Sequence, residues 1–294
     1  SLNKTLVMKK ILLLLITICL SSISFGQIPS YVPTDSLVGW WPFNGNANDE
    51  SGNGNNGTVN SATLTSDRFG NVNSAYYFDG IDDYINIGNL IEINGVSQMT
   101  WSVWAFPENI GFEDGIICKR VYASQSDYMA LYSTNFSCNN NSVRMSIASG
   151  SGNHNGASVD NSLTNNALFH IVAVYNGALS NNAEKLKIYI NGVLQSSNFR
   201  NNNSCGPTSI PSITPSNNDS LQIGSNGFPN FLGKIDDIGI WNRALDSCEI
   251  INLYNASLGC GCSPTAANDI QSACDSYTWI DGNTYTANNN TATY

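Results

Sequence analysis

The chain contains 294 residues with a net charge of −10, and only 12 % of its residues are charged, whereas globular domains have about 25 %. The acidic balance excludes a nucleic-acid-binding protein, because Lys and Arg supply the affinity for phosphates. The scarcity of charged helix formers excludes a coiled coil. The 6 Trp, 13 Tyr and 11 Phe exclude a disordered chain. The composition is typical of a turn-rich, extracellular β protein.

Residues 1–26 are predicted to be a secretory signal with some upstream sequence. Lys9 and Lys10 precede the apolar run 11–20, and small residues precede a cut after Gly26. The run is too short to span about 30 Å of hydrocarbon, so no transmembrane segment is predicted. Cys19 leaves a lipoprotein alternative open, although Ile18 before it is larger than such a site normally accepts. We expect a secreted or cell-surface protein in which residues 27–35 form a linker.

Short apolar and aromatic runs, separated by Asn, Gly and Ser, predict a series of β-strands. These runs are 38–43, 75–78, 84–87, 99–106, 115–119, 128–132, 143–148, 169–175, 185–190, 193–195, 221–223 and 234–241. Asn191-Gly192 between two of the runs is the strongest hairpin signal, because both residues tolerate the positive φ of a type I′ turn. With no helix between these strands, two antiparallel sheets packed face to face are expected.

One short helix is predicted near the end of the chain. Asp246 is its expected cap, Glu249 follows three residues later, and Ile250, Ile251 and Tyr254 have helical spacing. After residue 258 the composition changes. Residues 259–294 read as a linker and the start of a truncated second β repeat, since about 30 residues cannot bury a core alone.

Cysteine usage favours disulfides over zinc, because export permits disulfides and the paired spacing of zinc ligands is missing. The six candidates for disulfide bonds are Cys118, Cys138, Cys205, Cys248, Cys260 and Cys262. Their pairing is left open. Without the predicted signal the number of cysteines is odd, so one is expected to be free or to lack its partner in this chain.

Four stretches in order resemble laminin G-like jelly-roll domains of the concanavalin A-like lectin/glucanase superfamily. They are 38–54, 77–85, 99–104 and 233–245, the last containing Gly-Lys-Ile-Asp-Asp-Ile and Trp-Asn-Arg-Ala-Leu. The resemblance implies an all-β, antiparallel two-sheet jelly-roll sandwich over 36–258, with the one short C-terminal helix. It says little about activity, because the fold hosts lectins, adhesive modules and hydrolases.

The tail resembles a repeat of large bacterial secreted adhesins, through 273–279 and 282–286. Such repeats usually carry a second Cys-Asp-Ser element downstream. The resemblance therefore implies that the partner of Cys274 lies outside this chain, and Cys274 is the cysteine expected to remain unpaired.

Calcium is the expected cofactor. The loop from Asp49 to Gly57 is rich in the oxygen donors that calcium prefers, although an EF-hand is excluded because Asn60 stands where its Glu is needed. The resemblance implies a jelly-roll calcium site that joins this loop to a carboxylate near the last strand. The candidate ligands are Asp49, Asn53, Asn55, Gly57, Asp236 and Asp237. The alternative is a solvated turn in which Asp49 accepts only local hydrogen bonds.

Asp236 and Asp237 are adjacent within an apolar strand. Neighbouring strand residues point to opposite faces, so one carboxylate is buried unless a bulge intervenes. A buried carboxylate needs a partner, and a metal, a backbone turn or Arg243 are the alternatives. A third acidic cluster, Asp79, Asp82 and Asp83, is better interpreted as a tight turn.

No catalytic residues are predicted. Retaining and inverting glycosidases use paired carboxylates, and none of the six Glu residues has such a spacing within a strand. Serine-hydrolase and zinc-protease motifs are missing, and His154 and His170 are interpreted as structural. The tryptophans are expected in the core, and loops near 150–160 and 200–220 are the candidates for ligand contact by position.

The predicted function is a secreted or cell-surface binding or adhesion module that recognises a glycan or an extracellular protein and is stabilised by calcium and disulfides. One alternative is a glycoside hydrolase, or the accessory module of a polysaccharide-degrading enzyme whose catalytic domain lies beyond this sequence. The other is a structural spacer between repeats.

Overall fold

The computed structural model describes residues 28–120, 127–136, 139–148, 155–201, 205–225, 229–257, 277–278 and 284–285. The predicted signal lies outside these residues. So do several residues singled out from the sequence, namely Cys138, His154, Cys260, Cys262 and Cys274.

The described part of the chain is built almost entirely from strands. They are β1 (Leu37–Trp41), β2 (Thr58–Asn60), β3 (Thr63–Thr65), β4 (Ala75–Asp79), β5 (Tyr84–Gly88), β6 (Gln98–Asn109), β7 (Asp114–Lys119), β8 (Tyr128–Phe136), β9 (Asn139–Ala148), β10 (Asn155–Val159), β11 (Phe169–Asn176), β12 (Leu186–Ile190), β13 (Val193–Leu194), β14 (Asn198–Asn201), β15 (Leu221–Ile223), β16 (Leu232–Trp241), β17 (Tyr277–Thr278) and β18 (Thr284–Tyr285). Helical segments are the 3-10 turn Ile91–Ile93, α1 (Asn182–Lys185) and α2 (Ser247–Ser257).

Two eight-stranded sheets form the sandwich, which confirms the predicted fold class. Sheet 1 has the order β13-β12-β11-β6-β16-β4-β3, with β1 beside β16, and sheet 2 has the order β14-β10-β9-β8-β7-β15-β5-β2. All the strand pairs described in these two sheets are antiparallel. Strand β16, late in the chain, lies between β6 and the early strands β4 and β1. The two ends of the domain therefore meet in the middle of sheet 1.

The main core lies between the sheets, and strand alternation decides which side chains enter it. In β6, Trp101, Val103 and Ala105 join the main core, and Ser102 and Trp104 point to the outer face of sheet 1. The expected burial of the tryptophans is confirmed, but they divide between two layers. Trp41 and Trp101 lie in the main core, whereas other tryptophans pack on the outer face.

A second apolar cluster covers part of the outer face of sheet 1. Ile250 and Leu253 of α2 pack there against Trp40 and Trp241. The helix begins with the predicted capping box. The backbone N–H of Glu249 donates to Asp246 Oδ1 at 2.8 Å, and the N–H of Asp246 donates to Glu249 Oε2 at 3.0 Å. The apolar face and the cap both follow from the sequence pattern.

Residues 28–35, which we expected to form a linker, pack against the same face. Val32 is buried in the second cluster, with Ile28 and Tyr31 beside it. The indole N–H of Trp241 donates to the carbonyl of Pro33 at 2.7 Å. This short segment covers apolar surface of sheet 1 that α2 leaves open, which is why it behaves as part of the domain.

The Asn191-Gly192 hairpin is confirmed. These residues join β12 to β13 and have φ values of 51° and 76°. Both angles lie in the left-handed region that Asn and Gly tolerate.

Cys118 was wrongly predicted to form a disulfide. It is a free, fully buried thiol in β7, packed in a cluster with Tyr128 and Ala130. Its side chain packs in this cluster as a small apolar residue. Cys205 and Cys248 are disulfide-bonded. The free Cys118 accounts for an odd number of cysteines without requiring that Cys274 be unpaired.

None of the helices in the described ranges is long and apolar enough to cross a membrane.

Candidate functional site

The carboxylate of Asp49 organises the loop between β1 and β2. Its Oδ1 accepts hydrogen bonds from the backbone N–H groups of Trp40 at 3.0 Å and Ser51 at 2.9 Å, and its Oδ2 accepts one from Asn55 at 2.9 Å. Asp49 is buried. Backbone N–H groups of the protein therefore already donate to both oxygens.

The other predicted calcium ligands of this loop also make hydrogen bonds within the protein, but as donors. The side-chain amide of Asn53 donates to the carbonyls of Leu37 and Val38, and that of Asn55 donates to Val38. The backbone N–H of Gly57 donates to the carbonyl of Ala47. The side-chain amides of Asn53 and Asn55 thus fasten the loop to the backbone carbonyls of β1.

A bulge in β16 places Asp236 and Asp237 on the same face of sheet 1. The register against β6 shifts by one residue between Asp236 and Gly239, and Asp237 has a φ of 45°. The bulge resolves the conflict seen in the sequence, since without it one carboxylate would point into the core.

Arg68 is the partner of both carboxylates. Its Nη1 lies 2.6 Å from Asp236 Oδ2 and its Nη2 lies 2.6 Å from Asp237 Oδ2. Arg243, the partner considered from the sequence, instead pairs with Glu249 and Asp35. Burial, followed by the neighbouring Asp237 carboxylate, raises the pKa of Asp236 well above its ordinary value. Burial also raises the pKa of Asp237, against the opposing effect of Arg68.

The predicted calcium ligands are not gathered into one cluster. Among the described residues, the acidic group whose carboxylate oxygens all lie within 4.8 Å of one another is the turn containing Asp79, Asp82 and Asp83. In that turn Asp83 accepts a hydrogen bond from the N–H of Asp79 at 2.8 Å. Asp49 is occupied by amides and the β16 pair by a guanidinium, so these residues do not fit a shared calcium ion.

A groove of about 260 Å³ lies on the outer face of sheet 1, beside the β16 bulge. Its lining combines aromatic, apolar and charged side chains: Ser66, Asp67, Arg68, Ala75, Trp104, Phe106, Leu168, Lys234 and Asp236. The loop between β3 and β4 forms one wall, and β6 and β16 form the floor. The register pairs Phe106 with Lys234 and Trp104 with Asp236, which places their side chains side by side across the sheet.

Cation–aromatic contacts order the groove. The guanidinium carbon of Arg68 lies 4.6 Å from the ring centres of both Phe69 and Trp104. The ammonium of Lys234 lies 5.8 Å from the Phe106 ring. Lys234 can hydrogen-bond a polar ligand while the neighbouring Phe106 ring contacts the ligand's apolar part.

Behind the groove, His170 lies fully buried under α2. Its Nε2 is 2.9 Å from Ser102 Oγ, and its ring lies near those of Trp104 and Tyr254, with centroids 5.0 and 6.0 Å away. Burial and the charge of Arg68 lower the pKa of His170 to about 3. The imidazole is therefore neutral at pH 7, and its structural role stays a prediction.

The outer face of sheet 2 is polar but closed. The hydroxyls of Tyr132 and Ser146 are 3.1 Å apart, and Arg144 Nε donates to Ser146 at 3.1 Å. All three residues are buried. This network links neighbouring strands of the sheet, and its three side chains are closed to solvent.

Sequence reasoning missed the groove because its parts come from separate elements. Arg68 and Asp236 are 168 residues apart. Phe106 belongs to no recognisable motif, and Lys234 lies in the Gly-Lys-Ile-Asp-Asp-Ile stretch, which indicated the family and not a groove. The signal in the sequence was the pair Asp236 and Asp237, which needed a positively charged partner. The chain offers only 12 Lys and Arg residues as candidates for that partner. The described residues of the loops at 150–160 and 200–220, proposed by position, are not among those that line the groove.

A family model described as the concanavalin A-like lectin/glucanases superfamily matches residues 78–251. No curated protein matches the chain. Among solved structures, domain 4 of AbnA, an extracellular arabinanase from Geobacillus stearothermophilus, is 20 % identical with a TM-score of 0.54, over 74 % of this chain and 98 % of that domain.

The binding domain of botulinum neurotoxin serotype D is 18 % identical with a TM-score of 0.52, over 76 % of this chain and 52 % of that one. The Trypanosoma rangeli sialidase is 15 % identical with a TM-score of 0.51, over 81 % and 36 %. The chain thus spans about half of the neurotoxin domain and about a third of the sialidase. At these identities the likeness establishes the fold alone.

Proposed function

Because the chain belongs to the concanavalin A-like lectin/glucanases superfamily, we propose that it is a secreted or cell-surface module that binds a glycan or an extracellular protein. The observation that carries this proposal is the groove on sheet 1, where Phe106 and Lys234 stand beside paired charges. Its volume is near the lower end of the ~300–1,000 Å³ of small-molecule sites. It suits a single sugar ring or one side chain of a protein ligand.

The chemistry of the groove supports a saccharide. Sugar hydroxyl groups accept hydrogen bonds from ammonium groups such as that of Lys234, whereas the C–H face of a sugar ring packs on an aromatic side chain. Asp67 and Lys234 supply opposite charges at the rim, so a neutral ligand is not repelled. Strands β6 and β16 hold the floor in place, which lowers the entropic cost of binding.

Binding rather than catalysis is proposed because the carboxylates of the groove are already engaged. Asp236 pairs with Arg68, and Asp67 accepts hydrogen bonds from the N–H groups of Phe69 and Asn71. A glycosidase needs one carboxyl group free to donate a proton and another free to act as base or nucleophile.

The test is a glycan array followed by calorimetric titration of the best ligand with Lys234→Ala and Lys187→Ala. Lys187 lies on β12 of the same sheet, outside the groove, and serves as the matched control. We expect Lys234→Ala to weaken binding about tenfold, which corresponds to ~1.4 kcal/mol. Lys187→Ala should bind as the wild type does. Equal affinity of all three proteins would place the ligand elsewhere.

An accessory module of a polysaccharide-degrading enzyme is the second candidate. It is favoured by the arabinanase domain, which this chain covers almost completely and which was solved with arabinotriose. Arabinotriose therefore belongs among the titrated ligands. Binding without release of reducing sugar would support an accessory role, whereas release of sugar that survives repurification would establish a hydrolase.

A further inference from the structure

Three groups at the β16 bulge are almost completely excluded from solvent. The side chain of Arg68 is 5 % exposed, and those of Asp236 and Asp237 are 10 % and 12 % exposed. Charge-assisted hydrogen bonds of 2.6 Å join the guanidinium to each carboxylate. Buried charges at such distances are strongly coupled, so the loss of one leaves the others uncompensated.

The guanidinium is also held between two aromatic rings. Phe69 and Trp104 each place a ring centre 4.6 Å from Arg68 Cζ. Trp104 is buried in the floor, whereas Phe69 is 47 % exposed and covers the outer side. A planar, weakly hydrated cation fits this arrangement, and an ammonium group would not present two parallel donors.

The guanidinium of Arg68 lies where a divalent cation would have to lie in order to bind both carboxylates. A cation bridging Asp236 and Asp237 would contact the same Oδ2 atoms to which the two guanidinium nitrogens donate. Asp49 offers no alternative, because its oxygens accept three backbone N–H groups.

Arg68 also ties a loop to the sheet. It lies between β3 and β4, and its neighbours Ser66 and Asp67 form a wall of the groove. Within the loop, Asp67 Oδ1 accepts from Phe69 and Asn71, which makes the turn compact. The ion pairs with β16 then attach this compact turn to the groove floor.

We infer that Arg68 serves as a built-in cation: it neutralises the Asp236–Asp237 pair and positions the β3–β4 loop without a metal ion, so that the groove forms independently of calcium. Removing the guanidinium leaves two adjacent buried carboxylates, which can then recruit a divalent cation.

The experiment measures melting temperatures of the full chain in excess EDTA and in saturating CaCl2. All proteins carry Asp82→Asn, which removes the exposed acidic turn as another cation site. The test variant is Arg68→Met, which keeps an apolar stem but no charge. The matched control is Arg243→Met, because Arg243 also pairs with a carboxylate, that of Glu249, on the same side of the sandwich.

With Arg68 present, the melting temperature should be equal in both buffers. Arg68→Met should lower it by roughly 6–20 °C in EDTA, from the cost of breaking a buried pair in a domain of this size. CaCl2 should restore part of that loss. Arg243→Met should show no response to calcium.

The inference would be overturned if EDTA lowered the melting temperature of the protein that retains Arg68. It would also be overturned if CaCl2 left the melting temperature of Arg68→Met unchanged. If Arg68→Met does not fold, Arg68→Met with Asp236→Asn and Asp237→Asn decides the matter. We expect this triple variant to fold and to have the same melting temperature in EDTA and in CaCl2, because the uncompensated negative charge is gone. Failure of the triple variant to fold would show that Arg68 acts through packing instead.

Discussion

At the scale of single residues, burial decides how each charged group behaves. The Asp236–Asp237 pair needed a partner on physical grounds alone, because an unpaired carboxylate in an apolar strand is costly. Its partner is Arg68, far away in sequence, and not the nearby Arg243. Cys118 illustrates the same rule, since its burial in a cluster with Tyr128 and Ala130 makes it a packed apolar residue instead of a disulfide partner.

His170 should make the protein sensitive to acid. Its folded-state pKa is about 3, against 6.5 for an ordinary histidine, so below pH 6.5 the unfolded chain binds a proton that the folded protein excludes. The contribution of His170 to stability is therefore complete above pH 6.5 and is lost progressively down to about pH 3.

The measurement is the melting temperature of the wild type and of His170→Gln across that range. Gln does not titrate and can still hydrogen-bond Ser102. We expect the difference between the two proteins to move in favour of His170→Gln as the pH falls. Comparing the two proteins removes the contribution of the buried Asp236 and Asp237, whose raised pKa values act in the opposite direction. Parallel curves would contradict the prediction.

At the scale of elements, local sequence determined most of what formed. Alternating aromatic and β-branched residues became strands, Asn191-Gly192 became a two-residue hairpin, and the residues around Asp246 became a capped helix. These features depend on short-range backbone chemistry, which the sequence carries directly. The bulge in β16 was predicted only as a condition for placing both carboxylates outside the core.

The capping box of α2 provides a test at this scale. Asp246→Ala removes an acceptor for a helical N–H and should lower the free energy of unfolding by about 1 kcal/mol. For a domain of this size that is a fall in melting temperature of roughly 2–4 °C. Asp246→Asn should remain close to the wild type, because Asn caps helices about as well as Asp. Equal melting temperatures of the Ala and Asn variants would show that the cap does not stabilise α2.

At the scale of the whole molecule, the outer face of sheet 1 is where distant parts of the chain meet. Residues 28–35, β1, β4, β6, β16 and α2 all contribute to it. Apolar side chains of residues 28–35 and α2 cover part of this face, and the groove lies on another part of it. The antiparallel arrangement places β16 between early strands, so the site cannot form until both ends of the domain are in place.

Removing either end of the chain should have unequal effects. Deletion of residues 28–35 exposes Trp241 and removes Val32 from the second apolar cluster, so the melting temperature should fall by several degrees. Removal of residues 265–294 should leave the melting temperature of the sandwich unchanged, because the predicted domain ends before them. Thermal melts of the two truncated proteins check this, and a larger loss from the C-terminal truncation would contradict the predicted boundary.

The fold class, the strands, the hairpin and the capped helix follow from local sequence, because alternation, turn residues and caps act over a few neighbouring positions. The sequence also indicated that Asp236 and Asp237 required a positive partner. That this partner is Arg68, that Cys118 is free and that a groove lies above β6 and β16 became known from the folded structure. Contacts between residues 168 positions apart depend on strand order and register, which no local pattern records.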